Sequence, residues 1–458
     1  MPSRSSLLRA AEFPVPAFAL VLLVVVLAPL PLGSNRPFFE ALLGIAAGLA
    51  LLSWSFWHLK SGKGQLTSWK PILAPGACIA AVLVWSLVQS LPVPPQFAHP
   101  VWQQGGAFHT LSVNPFATRI GLMRLVTSLV FFLLAYQAGR SSVLAQRLVL
   151  MLALSAAAYA FYGLLTYAFG NSTLLWLDKW AYEESLTGTF VNRNAFAAYC
   201  GMGLLACSAI FALQVKRELD HAPSKNILNH IIDHLPPLAW AVFTGMLVLA
   251  LALAFSDSRA GLASTALGLA VLWAGLFLNR ALPRKLLTGL GAIALAVGLL
   301  AVAIAGQGLL SRFSREVFAR DERPQIWDIS LKMIADAPLT GQGLNTYGDL
   351  FLQYRDERVA MSYIRAHSTY LELAVELGLP AATLWFLAFA LVGWQLLKGV
   401  RTRRQHALYP ILALAVLAQA STHSLIDFSF QMPANAALLA MLLGLGMAQS
   451  YRSGEETA

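Results

Sequence analysis

Long apolar stretches separated by short polar ones organise most of the chain. Stretches near the ~20 residues needed to cross a bilayer as helix fall at about 14–32, 38–58, 71–92, 118–137, 148–168 and 193–214. Others follow at about 236–255, 257–279, 286–306, 367–397, 408–425 and 432–450. The pattern predicts an all-α, polytopic helical bundle of about twelve spans forming one transmembrane domain over 1–458. The fourth stretch carries Arg119 and Arg124 within its apolar run, which makes it the weakest of the twelve. The first apolar stretch follows Arg4 and Arg9 like a signal peptide, but it is too long and lacks an A-x-A site, so it reads as an uncleaved span.

One connection, 307–366, is much longer than the rest. Within it "RPQIWDISLKMIAD" places Ile326, Trp327, Leu331, Met333 and Ile334 on one broad face, interrupted by Ser330. Asp328, Lys332 and Asp336 line the other at i,i+4 spacing. That pattern predicts an amphipathic helix lying on the membrane or capping the bundle. "APLTGQGLNTYGDLF" then reads as a turn, since its G-x-G follows no strand and has no P-loop lysine.

Composition agrees with the pattern. The 458 residues are 57% hydrophobic and 12% charged, against roughly 25% charged in a soluble domain, and mean hydropathy is +0.63. The net charge of +10 is spread over short loops, not gathered in a patch, so nucleic acid is not the partner it implies. Alternate loops carry the excess: Arg4 and Arg9; Lys60, Lys63 and Lys70; Arg140 and Arg147; Lys216, Arg217 and Lys225; Arg280, Arg284 and Lys285; Lys398, Arg401, Arg403 and Arg404; Arg452. The intervening short loops hold only Arg36, Lys179, Arg193 and Arg259. By the positive-inside rule both termini are cytoplasmic, and 307–366, between the ninth and tenth spans, is a periplasmic loop. Cys78, Cys200 and Cys207 lie inside apolar runs and read as packing residues.

Arg193 in "TGTFVNRNAFAAYC" and Arg259 in "AFSDSRAGLAST" go against that charge rule, each at the outer start of a span. An arginine with small neighbours can grip an oxyanion with two hydrogen bonds, and helix N-terminal amides near Asn192, Asn194 or Ser258 would add to the site. The alternative is snorkelling or an ion pair, Arg259 with Asp257 or Arg193 with Glu183 or Glu184. His367 starts the span after the long loop and is the candidate general base, or a structural helix-start residue. Thr369 and Glu372 read as a T-x-x-E capping box, Glu376 as a buried group facing a partner or cavity, and Arg365 and Tyr370 as accessory ligands. The sequence has no G-x-S-x-G, H-E-x-x-H, C-x-x-C or D-x-D motif, so metal- and cofactor-free chemistry is expected.

"GTFVNRNAFAAY", "SRAG", "PLTGQGLNTY" after "RPQIW", "HSTYLELAVELGLP" and "HSLIDFSFQMPANA" together resemble the O-antigen ligase and polymerase superfamily of bacterial envelope glycan enzymes. The resemblance implies transfer of a glycan from a polyprenyl-diphosphate carrier to an acceptor hydroxyl at the periplasmic face of the inner membrane. It implies no cofactor, and its pattern of two arginines followed by a histidine falls on Arg193, Arg259 and His367. Ligases pass the glycan to lipid A–core; polymerases pass it to another carrier-linked repeat. The compact arginine, arginine, histidine pattern favours a ligase, with the polymerase as runner-up. A transporter or flippase is the competing class, and it predicts charges or broken helices near midplane.

Overall fold

The computed structural model describes residues 13–61, 67–104, 109–220, 227–280, 282–283, 288, 322–359, 361–403 and 406–451. The expected ninth span at 286–306, apart from residue 288, lies outside the described residues. So do 307–321 of the long connection and Arg4, Arg9, Lys63, Lys225, Arg284, Lys285, Arg404 and Arg452.

The described helices are α1 (Val15–Leu27), α2 (Pro37–Ser61), α3 (Lys70–Gln89), α4 (Pro115–Ala138), α5 (Ser142–Ala168), α6 (Arg193–Leu219) and α7 (Ile227–His234). They continue with α8 (Pro237–Phe255), α9 (Arg259–Asn279), α10 (Arg323–Asp336), α11 (Tyr347–Tyr354), α12 (Thr369–Thr402), α13 (Leu408–His423) and α14 (Pro433–Ala448). A two-stranded hairpin, β1 (Thr173–Leu174) against β2 (Leu177–Asp178), follows α5. Eight of the helices are long and apolar enough to cross a membrane: α2 to α6, α8, α9 and α12. The chain is an all-α, multi-pass membrane protein. Shorter apolar helices α1, α13 and α14 occupy the positions of the first and last two expected spans.

Helix starts follow from their caps. Asn114, Ser141, Asn192, Ser258 and Ser368 each present a side-chain oxygen to an amide of the first turn, which satisfies donors the helix itself cannot. α6 is the central helix, buried along most of its length. Its small residues permit this: Gly201 abuts Gln419 and Thr265, and Gly203 abuts Ala156. Peripheral α2 instead exposes Ile45, Leu49, Leu52 and Phe56 along one side, a face suited to lipid and not to water. Arg124 fits inside its span because Glu40 of α2 accepts from its Nε and Nη2 at 2.9 and 2.8 Å, as a charge at membrane depth requires.

Two expectations change, one in the long connection and one in the helix after it. The buried face of α10 is Ile326, Ile329, Ser330 and Met333, while Leu331 is exposed. Ser330 lies within the face, not as an interruption, because its Oγ meets the Tyr347 hydroxyl at 2.9 Å. The helix therefore caps the bundle, packed on α11 and the start of α12. The polar stripe is tied down too: Asp328 to Arg358, Lys332 to Asp356, and Asp336 to the Tyr354 hydroxyl.

The second change is in α12, which is broken at Gly378 (φ 76°, ψ 161°). The carbonyls freed by the break are claimed from outside. Gln342 N donates to Val375 O, Gly343 N and Gln89 Nε2 to Glu376 O, and Trp85 Nε1 to Leu377 O. The "PLTGQG" turn is thus a clamp on the break. Gly341 (φ 66°) lies so close to the 376–378 backbone that no side chain fits there. Irregular backbone inside a membrane protein persists only where protein satisfies it in this way.

Candidate active site

Three helices begin at one end of the bundle with an arginine: Arg193 on α6, Arg259 on α9 and Arg323 on α10. α6 and α9 are joined at their first turns, where Ser258 Oγ donates to Asn194 Oδ1 at 2.7 Å. Asn194 also hydrogen-bonds the Asp427 side chain, and the charge of Arg323 reaches both Asp427 and Tyr182. Arg193 Nη1 donates to Ser185 Oγ at 3.3 Å, and its guanidinium lies over the Tyr182 ring, 5.3 Å from the centroid. Ser185 Oγ in turn donates to Asp257 Oδ2 at 3.0 Å. The arrangement gathers guanidinium charge and the positive ends of helix dipoles, the combination that binds anions.

The 171–185 loop that holds Ser185 is itself pinned. Buried Lys179 donates from Nζ to Asn171 Oδ1 at 2.9 Å and to Ser185 O at 2.7 Å. Burial lowers this ammonium to about 8, against the raising effect of Glu183.

His367 faces the same region. Its Nδ1 lies 3.9 Å from Asp427 Oδ1, and its ring sits edge-on between Tyr363 and Phe428. The side chain is 18% exposed, Asp427 not at all. His423 Nε2 is 4.0 Å from the other oxygen, Asp427 Oδ2. Burial pushes the Asp427 carboxyl up to about 6, partly offset by the Phe428 amide, Arg323, Asn194 and Ser429. The backbone of His367 is left-handed (φ 50°), as it is at Tyr182 and Asp257, a conformation uncommon outside glycine and concentrated at functional sites.

The other expected residues take supporting positions. Asn192 is the α6 cap, with Oδ1 accepting from Asn194 N and Ala195 N. Arg365 Nη1 donates to Glu372 Oε1 at 2.7 Å and to Gln431 Oε1 at 2.9 Å. The Tyr370 hydroxyl donates to Ser421 O, so Arg365 and Tyr370 line a neighbouring cavity and not the His367–Asp427 contact. The capping box is corrected: Ser368 is the cap, and Glu372 accepts from Ala366 N and Arg365. Glu376, whose partner was open, accepts from Tyr347 N at 3.2 Å. Among the described residues no cluster of three His, Cys, Asp or Glu is placed to hold a metal ion.

Arg323, Asp427, His423 and Tyr182 escape sequence reasoning. Arg323 looks like the polar start of an amphipathic helix, and Asp427 like a loop carboxylate. A signal existed only for Arg323, inside "RPQIW", and for His423 and Asp427, inside "HSLIDFSF"; Tyr182 lies in neither.

No curated protein matches the chain. Residues 244–386, running from α8 into α12 and carrying Arg259, Arg323 and His367, match the family described as O-antigen ligase. Arg193 and Asp427 lie outside that stretch and join the site through Asn194. The chain is a multi-pass membrane protein, and its 244–386 stretch resembles O-antigen ligases, which supports a ligase- or polymerase-type membrane enzyme.

Proposed function

We propose that this protein is an O-antigen ligase-type glycosyltransferase of the bacterial inner membrane. It moves a glycan from a polyprenyl-diphosphate carrier to an acceptor hydroxyl of lipid A–core on the periplasmic face. The observation that carries the reading is the Asn194–Ser258 bond, because it joins the first turns of the two helices that start with Arg193 and Arg259, and Asn194 also bonds Asp427. The diphosphate is already a good leaving group, so stabilising its growing charge lowers the barrier more than protonating it. Arg193 and Arg259, with Arg323 as a third donor, supply that stabilisation. His367 takes the proton of the attacking hydroxyl, and Asp427 stabilises the imidazolium that forms. The carrier oxygen leaves as the acceptor oxygen bonds to the anomeric carbon, so one displacement inverts that centre.

The test is transfer by purified protein in proteoliposomes, from a polyprenyl-diphosphate oligosaccharide to lipid A–core or to a second carrier-linked repeat. Product on lipid A–core supports the ligase; product only on the second repeat makes the enzyme a polymerase. A chelator is expected to leave the rate unchanged. His367→Ala is expected to slow transfer by about 10²–10⁴-fold while donor binding survives. Loss of donor binding along with activity would make His367 a substrate ligand and not a base.

A further inference from the structure

A cavity of ≈ 300 Å³, lined by none of the three arginines but by Arg365 and Thr369 on either side of His367 in sequence, runs between α3, α4, α12, α13 and α14. Its deep walls are apolar, among them Ile72, Pro75, Phe132, Phe389 and Leu443. Its other end is polar, formed by Arg124, Asn345, Arg365, Thr369 and Gln431. The shape and lining are those of a site for a long apolar chain with a polar head.

The polar end is physically joined to the catalytic contact. Thr369 Oγ1 donates to Asp427 O at 3.1 Å, and Gln431 Nε2 donates to Thr369 Oγ1 at 3.3 Å. A head group held there is next to His367. Its charge differs in kind from that of the arginine cluster. Glu40 matches Arg124 through two hydrogen bonds, Glu372 matches Arg365, and Glu376 adds a third carboxyl group. This end therefore offers no net positive charge to a diphosphate, whereas its hydroxyl and amide groups suit a sugar.

Building on the reaction proposed above, we infer that this cavity holds the apolar chain of a lipid-linked acceptor. The acceptor's hydroxyl then reaches His367 from the side of Thr369 and Gln431. The polyprenyl tail of the donor lies elsewhere, with its diphosphate on the arginine side.

Two substitutions plug the cavity at different depths. Ser128 lines it on α4, four residues and so about 6 Å along the helix beyond Arg124. Gly76 lines it on α3, about 20 Å from Gln89, at a point where an added Cβ meets nothing within 4 Å. Phenylalanine also suits a helix better than glycine does, so Gly76→Phe is expected to insert normally.

The probes are a hexadecyl glycoside, the methyl glycoside of the same sugar, and a polyprenyl-diphosphate oligosaccharide, all assayed in proteoliposomes. Gly76→Phe and Ser128→Phe are expected to raise KM for the hexadecyl acceptor about tenfold, the effect of excluding two or so methylenes. KM for the donor and the rate with the methyl acceptor should stay at wild-type values. A rise in donor KM instead would assign the cavity to the polyprenyl tail, and no change in either KM would make it space filled by bilayer lipid. Both results overturn the inference.

Photo-crosslinking of the wild-type protein tests the same point without a variant. A diazirine at the end of the hexadecyl chain should label α3 near Gly76, and a polyprenyl photoprobe should not; the opposite pattern overturns the assignment. If lipid A–core and a second carrier-linked repeat are not glycosylated either, the proposed reaction fails, while the crosslink still reads the cavity.

Discussion

At the scale of single residues, geometry matters as much as charge. Arg193 lies over Tyr182 with Nη1 on Ser185, which fixes the plane of its guanidinium. A lysine would keep the charge and lose the fork. Arg193→Lys and Arg259→Lys are therefore expected to lower transfer roughly thirty-fold or more, since a truncated hydrogen-bonded charge contact costs on the order of 2–5 kcal/mol. Near wild-type rates in both variants, with normal yield, would return the arginines to interfacial anchoring.

Asp427 offers a sharper test, because stability and activity should move in opposite directions. The fold raises this carboxyl from its ordinary 3.8 to about 6, so the folded state prefers it protonated. That contribution to stability is complete below pH 3.8 and is lost as pH rises through about 6. At pH 8 the folded protein carries the cost of the buried charge, on the order of 3 kcal/mol. Asp427→Asn should therefore raise the thermal midpoint at pH 8 while lowering the plateau rate. It should also move the acid limb of the rate profile down, because His367 loses the carboxylate that favours its protonated form. A lower midpoint at pH 8 together with an unmoved limb would leave Asp427 a structural residue.

Among the elements, what could be read in advance was local. The helix starts near Asn192 and Ser258, and the course of α4 despite Arg119 and Arg124, rest on neighbours within a turn or two. What could not be read is long-range. The break in α12 is written as Gly378 and Pro380, which alone suggest a kink. Only Trp85, Gln89, Gln342 and Gly343, from distant parts of the chain, turn it into a stable end. Arg323 and Asp427 are functional candidates for the same reason: Asn194 and Tyr182 bring them together across the fold. The clamp predicts that Gly341→Ala is severe. A Cβ there would overlap backbone at 376–378, and the residue needs φ 66°, so destabilisation of roughly 1–3 kcal/mol or more is expected. Denaturation of the detergent-purified variant measures it; an unchanged midpoint would mean the turn does not hold the break.

For the whole molecule, the proposed orientation can be checked in living cells. Exposed Glu357 and His406 lie on either side of the long helix α12. Glu357→Cys is expected to react with a membrane-impermeant thiol reagent in intact cells, and His406→Cys only after lysis. The reverse pattern would put the arginine cluster in the cytoplasm, away from any periplasmic acceptor. The same architecture accommodates a broken helix, also a transporter's feature, within the proposed enzyme. The break bounds the cavity lined by Arg365 and Thr369, and its backbone is saturated by protein rather than left to coordinate an ion.

The clamp on α12 also sets an order of assembly. Gln89 bonds Glu376 O across 287 positions of sequence, so the helix that completes the break is inserted long before the helix it completes. Asp427 and the Ser424 carbonyl, which accepts from Thr369 N, arrive only with the last two apolar helices, after His367 and the 338–343 turn. If the proposed reaction holds, a nascent chain passes through most of its synthesis with the arginine half of the site and without its base, and competence is the last thing this fold acquires.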